Sequence, residues 1–275
     1  MALALIAGIA GVLYLSRGPQ TVTADQAVEA FRTAPEPKAE ARTTSQPTGP
    51  KPVTAPVAGA PQQPQQPAAQ PPNYGPLVEG VYVFATKGYE ETDAFAGQRH
   101  TYPSETAMTI RKDGCGWIAR WEPLRERWEE TEMCEKAEGT EMGRYTMYHE
   151  FFRRGVREDF ACPGSFVQKP SAKPGDAWTF ECTSQQSKVA AKVTVVGFED
   201  MNVGGQVVKT VHYHYDIKVS GANSGTLVQD RWLSNSPRVM TRLTQKADMQ
   251  VASPFGKVGY KEDYRIDLKS VEPRT

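Results

Sequence analysis

The sequence predicts a mainly β protein: one curled antiparallel meander sheet, a half-barrel of about twelve strands, preceded by an N-terminal anchor helix and a proline-rich linker. Three observations support this class. Strand-length runs rich in β-branched and aromatic residues fill the chain from residue 77 to residue 273. The links between the runs are short and carry turn residues, which favours antiparallel hairpins. No helix-like pattern longer than two turns interrupts them, and a sheet of that many strands must curl, close or split into two layers.

The first element is an apolar segment within residues 1–18. Residues 2–15, ALALIAGIAGVLYL, carry no charge, and Arg17 follows the run. The run is shorter than the roughly 20 apolar residues of a typical transmembrane helix. We interpret it as an uncleaved membrane anchor. A cleaved signal peptide and a buried helix of a soluble protein are the alternatives.

A short helix and a linker come next. In residues 19–34, Thr23 and Gln26 have the spacing of a capping box, and an apolar stripe follows them, which predicts a juxtamembrane helix. Residues 35–76 hold 12 of the 21 prolines and have no aromatic residue before Tyr74. Such a segment buries too little apolar surface to offset its ordering entropy. We therefore predict a disordered, semi-rigid spacer rich in proline, alanine and glutamine.

Residues 77–273 form the predicted β domain. Turn signals such as Asp113-Gly114 and Gly204-Gly205 separate most of its strands. The strand-like runs are residues 80–86, 106–112, 117–122, 127–133, 144–152, 156–162, 177–183, 189–199, 206–219, 226–233, 238–251 and 258–269.

The four cysteines predict two disulfide bonds. Their even number suits an oxidising compartment, and they are too widely spaced for a structural zinc site or a thioredoxin-like C-x-x-C motif. Each hairpin places one cysteine opposite another, so we predict the bridges Cys115–Cys134 and Cys162–Cys182. Each bridge should stabilise the fold by roughly 3 kcal/mol in the chain-entropy model.

The first of these hairpins also suggests a register. If its two cysteines face each other directly, Trp121 faces Trp128 and Arg120 faces Glu129. Aromatic pairs and pairs of opposite charge each favour an antiparallel ladder by roughly 0.2–1 kcal/mol. The stretch therefore reads as a disulfide-linked hairpin rather than a reactive loop.

Two clusters resemble reactive sites, but each has a simpler interpretation. His212 and His214 share one strand face, as metal ligands would, yet that face is the polar one and few further ligands exist. Glu130 and Glu132 also share a face, as a glycosidase pair would, but any solvated acidic β-ribbon has this pattern. We predict no catalytic residue, no metal site and no cofactor.

Three tryptophans are the candidate binding residues. Trp117, Trp121 and Trp128 lie in the same hairpin. They pack either as ordinary core residues or along the concave face of the curled sheet, where an apolar ligand would bind. The sequence leaves both alternatives open.

The C-terminal half of the β domain resembles a group of bacterial envelope proteins. The similarity lies in KPGDAWTF (173–180), VVGFEDMNVGGQVVKTVHYHY (195–215), DRWLSNSPRVMTRL (230–243) and YKEDYRIDLKSVEP (260–273). These segments resemble the half-barrels of the LolA/LolB lipoprotein carriers and the LppX/LprG-like lipid carriers. The resemblance implies a sheet wrapped around an apolar interior, and binding of lipid or lipidated protein rather than catalysis.

Together these features predict a membrane-tethered extracytoplasmic binding domain for a lipid or another apolar ligand. Residues 2–15 would make the chain a single-pass protein of the bacterial cytoplasmic membrane, with the C-terminal domain outside the cytoplasm. A structural or signalling ectodomain that binds another envelope protein is the first alternative, and an envelope hydrolase is the second. The 32 basic and 32 acidic residues balance, which argues against a nucleic-acid partner.

Overall fold

A computed structural model describes residues 19–34, 75, 77–93, 98–151, 154–236, 238–253 and 256–275. These residues form one short helix, α1 (Ala24–Thr33), and one antiparallel sheet. The strands are β1 (Gly80–Thr92), β2 (Gln98–Thr101), β3 (Glu105–Asp113), β4 (Gly116–Leu124), β5 (Arg127–Lys136), β6 (Gly139–Phe151), β7 (Arg154–Gln168), β8 (Ala177–Thr183), β9 (Ser187–Val203), β10 (Gln206–Gly221), β11 (Ser224–Asn235), β12 (Arg238–Ser253) and β13 (Gly256–Leu268).

The sheet closes into a barrel, so the predicted open half-barrel is wrong. One edge of β1 pairs with β13, from Phe84 opposite Leu268 to Thr92 opposite Tyr260. The other edge of β1 pairs with β3 from Gly80 to Ala85 and with the short β2 from Tyr89 to Thr92. Strands β2 and β3 therefore share one strand position in the wall. The wall therefore has twelve strand positions, each neighbour antiparallel.

Closure has a clear physical reason. An open sheet of this size would leave a row of unpaired backbone groups on β1 and another on β13, and such edges invite association with other chains. Joining the edges satisfies both rows at once. The pairing of β1 with β13 joins residues at opposite ends of the domain, and no local sequence pattern predicts it.

Side chains alternate between the lumen of the barrel and its outer surface, as strand geometry requires. Strand β13 shows this along its whole length. Its buried residues are Val258, Tyr260, Glu262, Tyr264, Ile266 and Leu268. Because an eight-stranded barrel is already just wide enough for side chains to fill, a twelve-stranded wall leaves space inside.

Helix α1 packs on the outside of this wall. Thr23 and Gln26 form the predicted capping box, in which each side chain accepts a hydrogen bond from the backbone N–H of the other residue. Val28 is buried in a cluster with Val81 and Ala107 of the wall. The predicted membrane anchor, residues 1–18, and nearly all of the predicted linker, residues 35–76, lie outside the described residues. Within the described ranges, no helix has the length and apolar character needed to cross a bilayer.

Both predicted disulfide bonds are confirmed. Cys115 is bonded to Cys134 and Cys162 to Cys182, with Cα–Cα distances of 4.9 Å and 4.2 Å. The Cys162–Cys182 bond links the neighbouring strands β7 and β8, and the Cys115–Cys134 bond links the turn before β4 to β5. Both bonds suit an extracytoplasmic, oxidising environment.

The predicted register of the first hairpin is wrong by one residue. Cys134 lies opposite Gly116 rather than Cys115, and Trp121 lies opposite Glu129 rather than Trp128. A shift of one residue reverses the face of every side chain on a strand. It therefore turns Trp128 outward and places Glu129 in the lumen, together with Arg127.

Backbone pairing in the wall is sparsest between β7 and β8. Their ladder has a single pair, Ala161 opposite Thr183, whereas β8 pairs with β9 along its full length. Side chains hold the two strands together instead. The Cys162–Cys182 bond crosses this gap, and the Trp178 indole N–H donates to the carbonyl oxygen of Phe166 at 2.6 Å. We call this place the β7–β8 seam.

Candidate ligand-binding lumen

Within the described part of the chain, the lumen contains two cavities. Cavity A, of about 150 Å³, lies toward the β10–β11 and β12–β13 turns. Its apolar lining includes Phe160, Ile217, Val219, Met249 and Val251. Cavity B, of about 140 Å³, lies toward the opposite end, and its lining includes Tyr82, Phe84, Trp117, Trp121 and Leu243. An engineered cavity of about 150 Å³ in another protein holds benzene, so each cavity has room for a small apolar group.

A layer of polar side chains crosses the lumen between the two cavities. We call it the belt, and it consists of Arg127, Glu129, Gln229, Arg231, Gln245 and Glu262. Hydrogen bonds link four of its members in series across strands β11, β12 and β13. Arg231 donates to Gln229 at 2.6 Å, Gln229 donates to Gln245, and Gln245 donates to Glu262. Because Glu129 and Arg231 line both cavities, the belt is the boundary that the two cavities share.

Arg127 is the most deeply buried cation of the belt, with 2% of its surface exposed. Its Nη2 group donates to Glu262 at 3.1 Å and also to Glu129. Burial works to lower the pKa of Arg127, but Glu262 and Glu129 outweigh it, so the guanidinium stays charged. Its Nε and Nη1 atoms are buried and have no hydrogen-bond partner among the described residues. Donors of this kind are costly, so a bound acceptor would be stabilising.

Arg231 is held differently. Its Nε and Nη2 groups both donate to the amide oxygen of Gln229, and its guanidinium carbon lies 4.8 Å from the ring centre of Tyr215. Among the described residues, no carboxylate forms an ion pair with it. Arg231 is thus a cation in the lumen whose contacts are an amide and an aromatic ring.

A second polar cluster lies beside the belt, around Glu90. The Glu90 carboxylate lies 3.0 Å from His149 and 3.2 Å from His100, and it accepts a hydrogen bond from Tyr260 at 3.3 Å. Burial works to raise the pKa of Glu90, but His149, His100 and Arg127 outweigh it and lower the pKa well below its usual value. Glu262 behaves in the opposite way, because burial raises its pKa and Arg127 only partly opposes this.

The three candidate tryptophans do not share one environment. Trp117 and Trp121 line cavity B, and Trp121 donates its indole N–H to Thr106 at 3.0 Å. Trp128 lies on the outer surface, stacked on Tyr148 with ring centres 5.4 Å apart. The structure therefore brings two of the three into the lumen and keeps the third out of it. Ligand binding by these residues stays a prediction.

The two clusters that resembled reactive sites also lie outside both cavities. His212 and His214 each lie 2.9 Å from the same oxygen of Asp230, in hydrogen-bonded contact on the outer wall. Glu130 and Glu132 both pair with Arg144. Within the described residues, no group of three or more histidine, cysteine or acidic side chains is arranged to hold a metal ion.

Sequence reasoning missed the belt, although a signal existed. Glu262 lies between Tyr260 and Tyr264, and Gln245 lies two residues after Leu243, so each polar residue is in phase with buried apolar ones. A polar residue at a lumen-facing position of an otherwise apolar strand is the pattern that could have identified it.

The fold and the cavities together define a closed antiparallel barrel with a partly empty interior. No protein-family model matches the chain, and no curated protein matches its sequence. Among solved structures, the chain is similar to the hypothetical lipoprotein YmcC of Escherichia coli (K12), with 11% identity and a TM-score of 0.27. The match covers 65% of this chain and 85% of that one. A likeness at this TM-score supports no argument about function, and the resemblance to lipoprotein and lipid carriers stays a prediction.

Proposed function

We propose that the protein is an extracytoplasmic binding protein whose barrel lumen holds a small apolar or amphipathic ligand. The observation that carries this proposal is the pair of cavities, whose linings are mainly aliphatic and aromatic. Binding sites for small molecules typically combine such a lining with a few polar groups that fix orientation, and the belt supplies those groups. The two disulfide bonds support the extracytoplasmic location. A tether at residues 2–15 belongs to the same proposal and rests on the composition of that segment.

Quenching of tryptophan fluorescence tests the proposal on the full chain. The probe is 8-bromooctan-1-ol, because bromine quenches tryptophan at close contact and Trp117 and Trp121 line cavity B. We expect saturable quenching. Ala119→Leu, which fills cavity B from its own wall, should weaken binding of the probe by roughly fivefold or more, given about 1–3 kcal/mol for overpacking.

The matched control is Ala190→Leu. Ala190 lies between two inward-facing residues of β9 and lines neither cavity. This variant should bind the probe as the unmodified chain does. Quenching that rises linearly without saturation, or that Ala119→Leu leaves unchanged, would contradict binding in the lumen.

A protein-binding function is the second candidate, and one observation favours it. Val196, Phe198 and Val207 of the β9–β10 hairpin are 50%, 64% and 70% exposed, which is unusual for apolar residues on a barrel wall. Crosslinking from a photoreactive residue at position 198 in intact cells tests it. Recovery of one defined envelope protein would support this function, and recovery of none would count against it.

A further inference from the structure

We propose that Arg231 and Arg127 select the head group of the ligand. The ligand would present acceptor oxygens and no donor hydrogens, as a carboxylate or an ester does, at the end of a short aliphatic tail in cavity A. This inference rests on the proposed function, since it concerns the same lumen.

The hydrogen-bond balance of the belt is the first support. The carboxylates that line cavity A already have donors within the protein. Arg127, Tyr102 and Gln245 donate to Glu262, and Arg127 donates to Glu129. The donors of the belt, unlike its carboxylates, are not all paired. The Nε and Nη1 groups of Arg127 lack acceptors among the described residues. The belt therefore has buried donors that lack acceptors, and a complementary head group supplies acceptors.

The position of Arg231 is the second support. Its guanidinium lines both cavities and pairs with no carboxylate among the described residues. Guanidinium groups bind carboxylate and ester oxygens well, because their donors lie in one plane. Arg231 would therefore receive a head group at the inner end of cavity A.

The remaining carboxylate of cavity A fixes the orientation. Glu158 is 7% exposed and accepts hydrogen bonds from Ser184 at 2.5 Å and from Asn223 at 2.6 Å. It lies near the β8–β9 and β10–β11 turns, away from the belt. An acceptor head group is repelled there, whereas Ile217, Val219 and Met249 between the two places offer an apolar path for the tail.

The size of the cavity limits the length of the tail. About 150 Å³ accommodates a group near the size of benzene, so a tail of about six to eight carbons fits cavity A. The test therefore uses three probes built on an eight-carbon chain: octanoate, methyl octanoate and octylamine. The first two distinguish a free acid from an ester, and the third has a head group that only donates.

Calorimetric titration of the full chain tests the proposal. We expect octanoate or methyl octanoate to bind roughly tenfold or more tightly than octylamine, which corresponds to at least one charge-assisted hydrogen bond. Tighter binding of octanoate indicates that the ligand is a free acid, and tighter binding of methyl octanoate indicates that it is an ester. Either result supports acceptor recognition. Equal binding of octylamine overturns it.

Arg231→Gln should remove the preference for acceptor heads, and Arg231→Lys should retain part of it. Arg157→Gln is the matched control, because Arg157 pairs with Asp159 on the outer wall. Urea unfolding of Arg231→Gln shows whether the variant is folded. An unchanged preference in that variant overturns the assignment of Arg231. If these three probes fail to bind while 8-bromooctan-1-ol still quenches saturably, the head-group proposal alone is overturned. If 8-bromooctan-1-ol also fails, the proposed function itself is overturned.

Discussion

The buried pair of Arg127 and Glu262 is unusual because each residue is only 2% exposed. Removing two charges from water costs several kcal/mol per ion, and mutual attraction offsets this only with good geometry and further hydrogen bonds. Aliphatic residues at these positions would stabilise a barrel at least as well. These charges therefore fit the proposed recognition of a head group in the lumen.

His214 gives a prediction at the scale of a single residue. Its hydrogen bond to Asp230 raises its pKa above the usual value of 6.5. Asp230→Asn should therefore lower the pKa of His214 toward 6.5, as an imidazole NMR titration would show. His100 is the internal control, since Glu90 rather than Asp230 raises its pKa. A His214 that titrates at 6.5 in the unmodified chain would contradict the prediction.

Glu90 gives a prediction about acid stability. Its pKa is lower in the folded chain than in the unfolded chain, where it is about 4.5. Its contribution is therefore fully present above 4.5 and is lost as the pH falls toward the folded value. Glu90→Gln should reduce the slope of the free energy of unfolding between about pH 5 and about pH 3 by roughly one proton, in urea titrations.

The control for this experiment is Glu91→Gln. Glu91 is the neighbouring carboxylate and lies on the surface, 3.9 Å from Arg99. The Glu91→Gln variant should leave the pH slope of the free energy of unfolding near that of the unmodified chain. Equal slopes for Glu90→Gln and the unmodified chain would show that the Glu90 cluster does not govern acid stability.

At the scale of elements, the hairpin formed by β4 and β5 shows which features could be predicted from the sequence and which could not. The two cysteines and the two strands were predictable, because hairpin pairing is local. The register was not, because Trp121 packs against Tyr264, 4.8 Å between ring centres, and Tyr264 lies on the distant strand β13. Arg127 and Glu129 then enter the lumen, so the candidate site was found only in part.

The β7–β8 seam gives a prediction for one pair of strands. Replacing Cys162 and Cys182 by alanine should cost roughly 3 kcal/mol, and so should replacing Cys115 and Cys134, because the two loops are nearly equal in length. The local effects should differ. With one ladder pair left between β7 and β8, the first double variant should increase amide hydrogen exchange along the seam.

The second double variant is the control, because β4 and β5 keep a ladder from Gly116 to Leu124. Its amides should remain protected in the folded state. Equal protection at β7 and β8 in both variants, measured by hydrogen exchange and mass spectrometry, would contradict the view that the disulfide bond holds the seam.

At the scale of the whole molecule, closure depends on the contact between β1 and β13. The sequence indicated the strands and their antiparallel order, since those follow from local turns. It did not indicate closure, because Phe84 and Leu268 meet only when the entire wall has the right curvature. The cavities follow from closure, so they could not be predicted either.

Gly88 gives a prediction for this closure. Its φ is 142°, a region that favours glycine, and a Cβ there would lie 2.3 Å from the carbonyl oxygen of Asp263 on β13. Gly88→Ala should therefore lower the free energy of unfolding by roughly 1–3 kcal/mol or more, measured by urea unfolding. Gly197→Ala is the control, because no atom lies within 4 Å of its added Cβ. Equal stability of the two variants would contradict the role of Gly88.

The distance along the chain between β1 and β13 also sets the order of assembly. The paired residues are roughly 180 positions apart. At about 5–20 residues per second, on the order of ten seconds or more separates their synthesis, during which the free edge of β1 is exposed. The two disulfide bonds join positions 19 and 20 residues apart, so their hairpins can be locked early. The contact between β1 and β13 therefore forms last. Until it forms, the free edge of β1 must be kept from pairing with other chains.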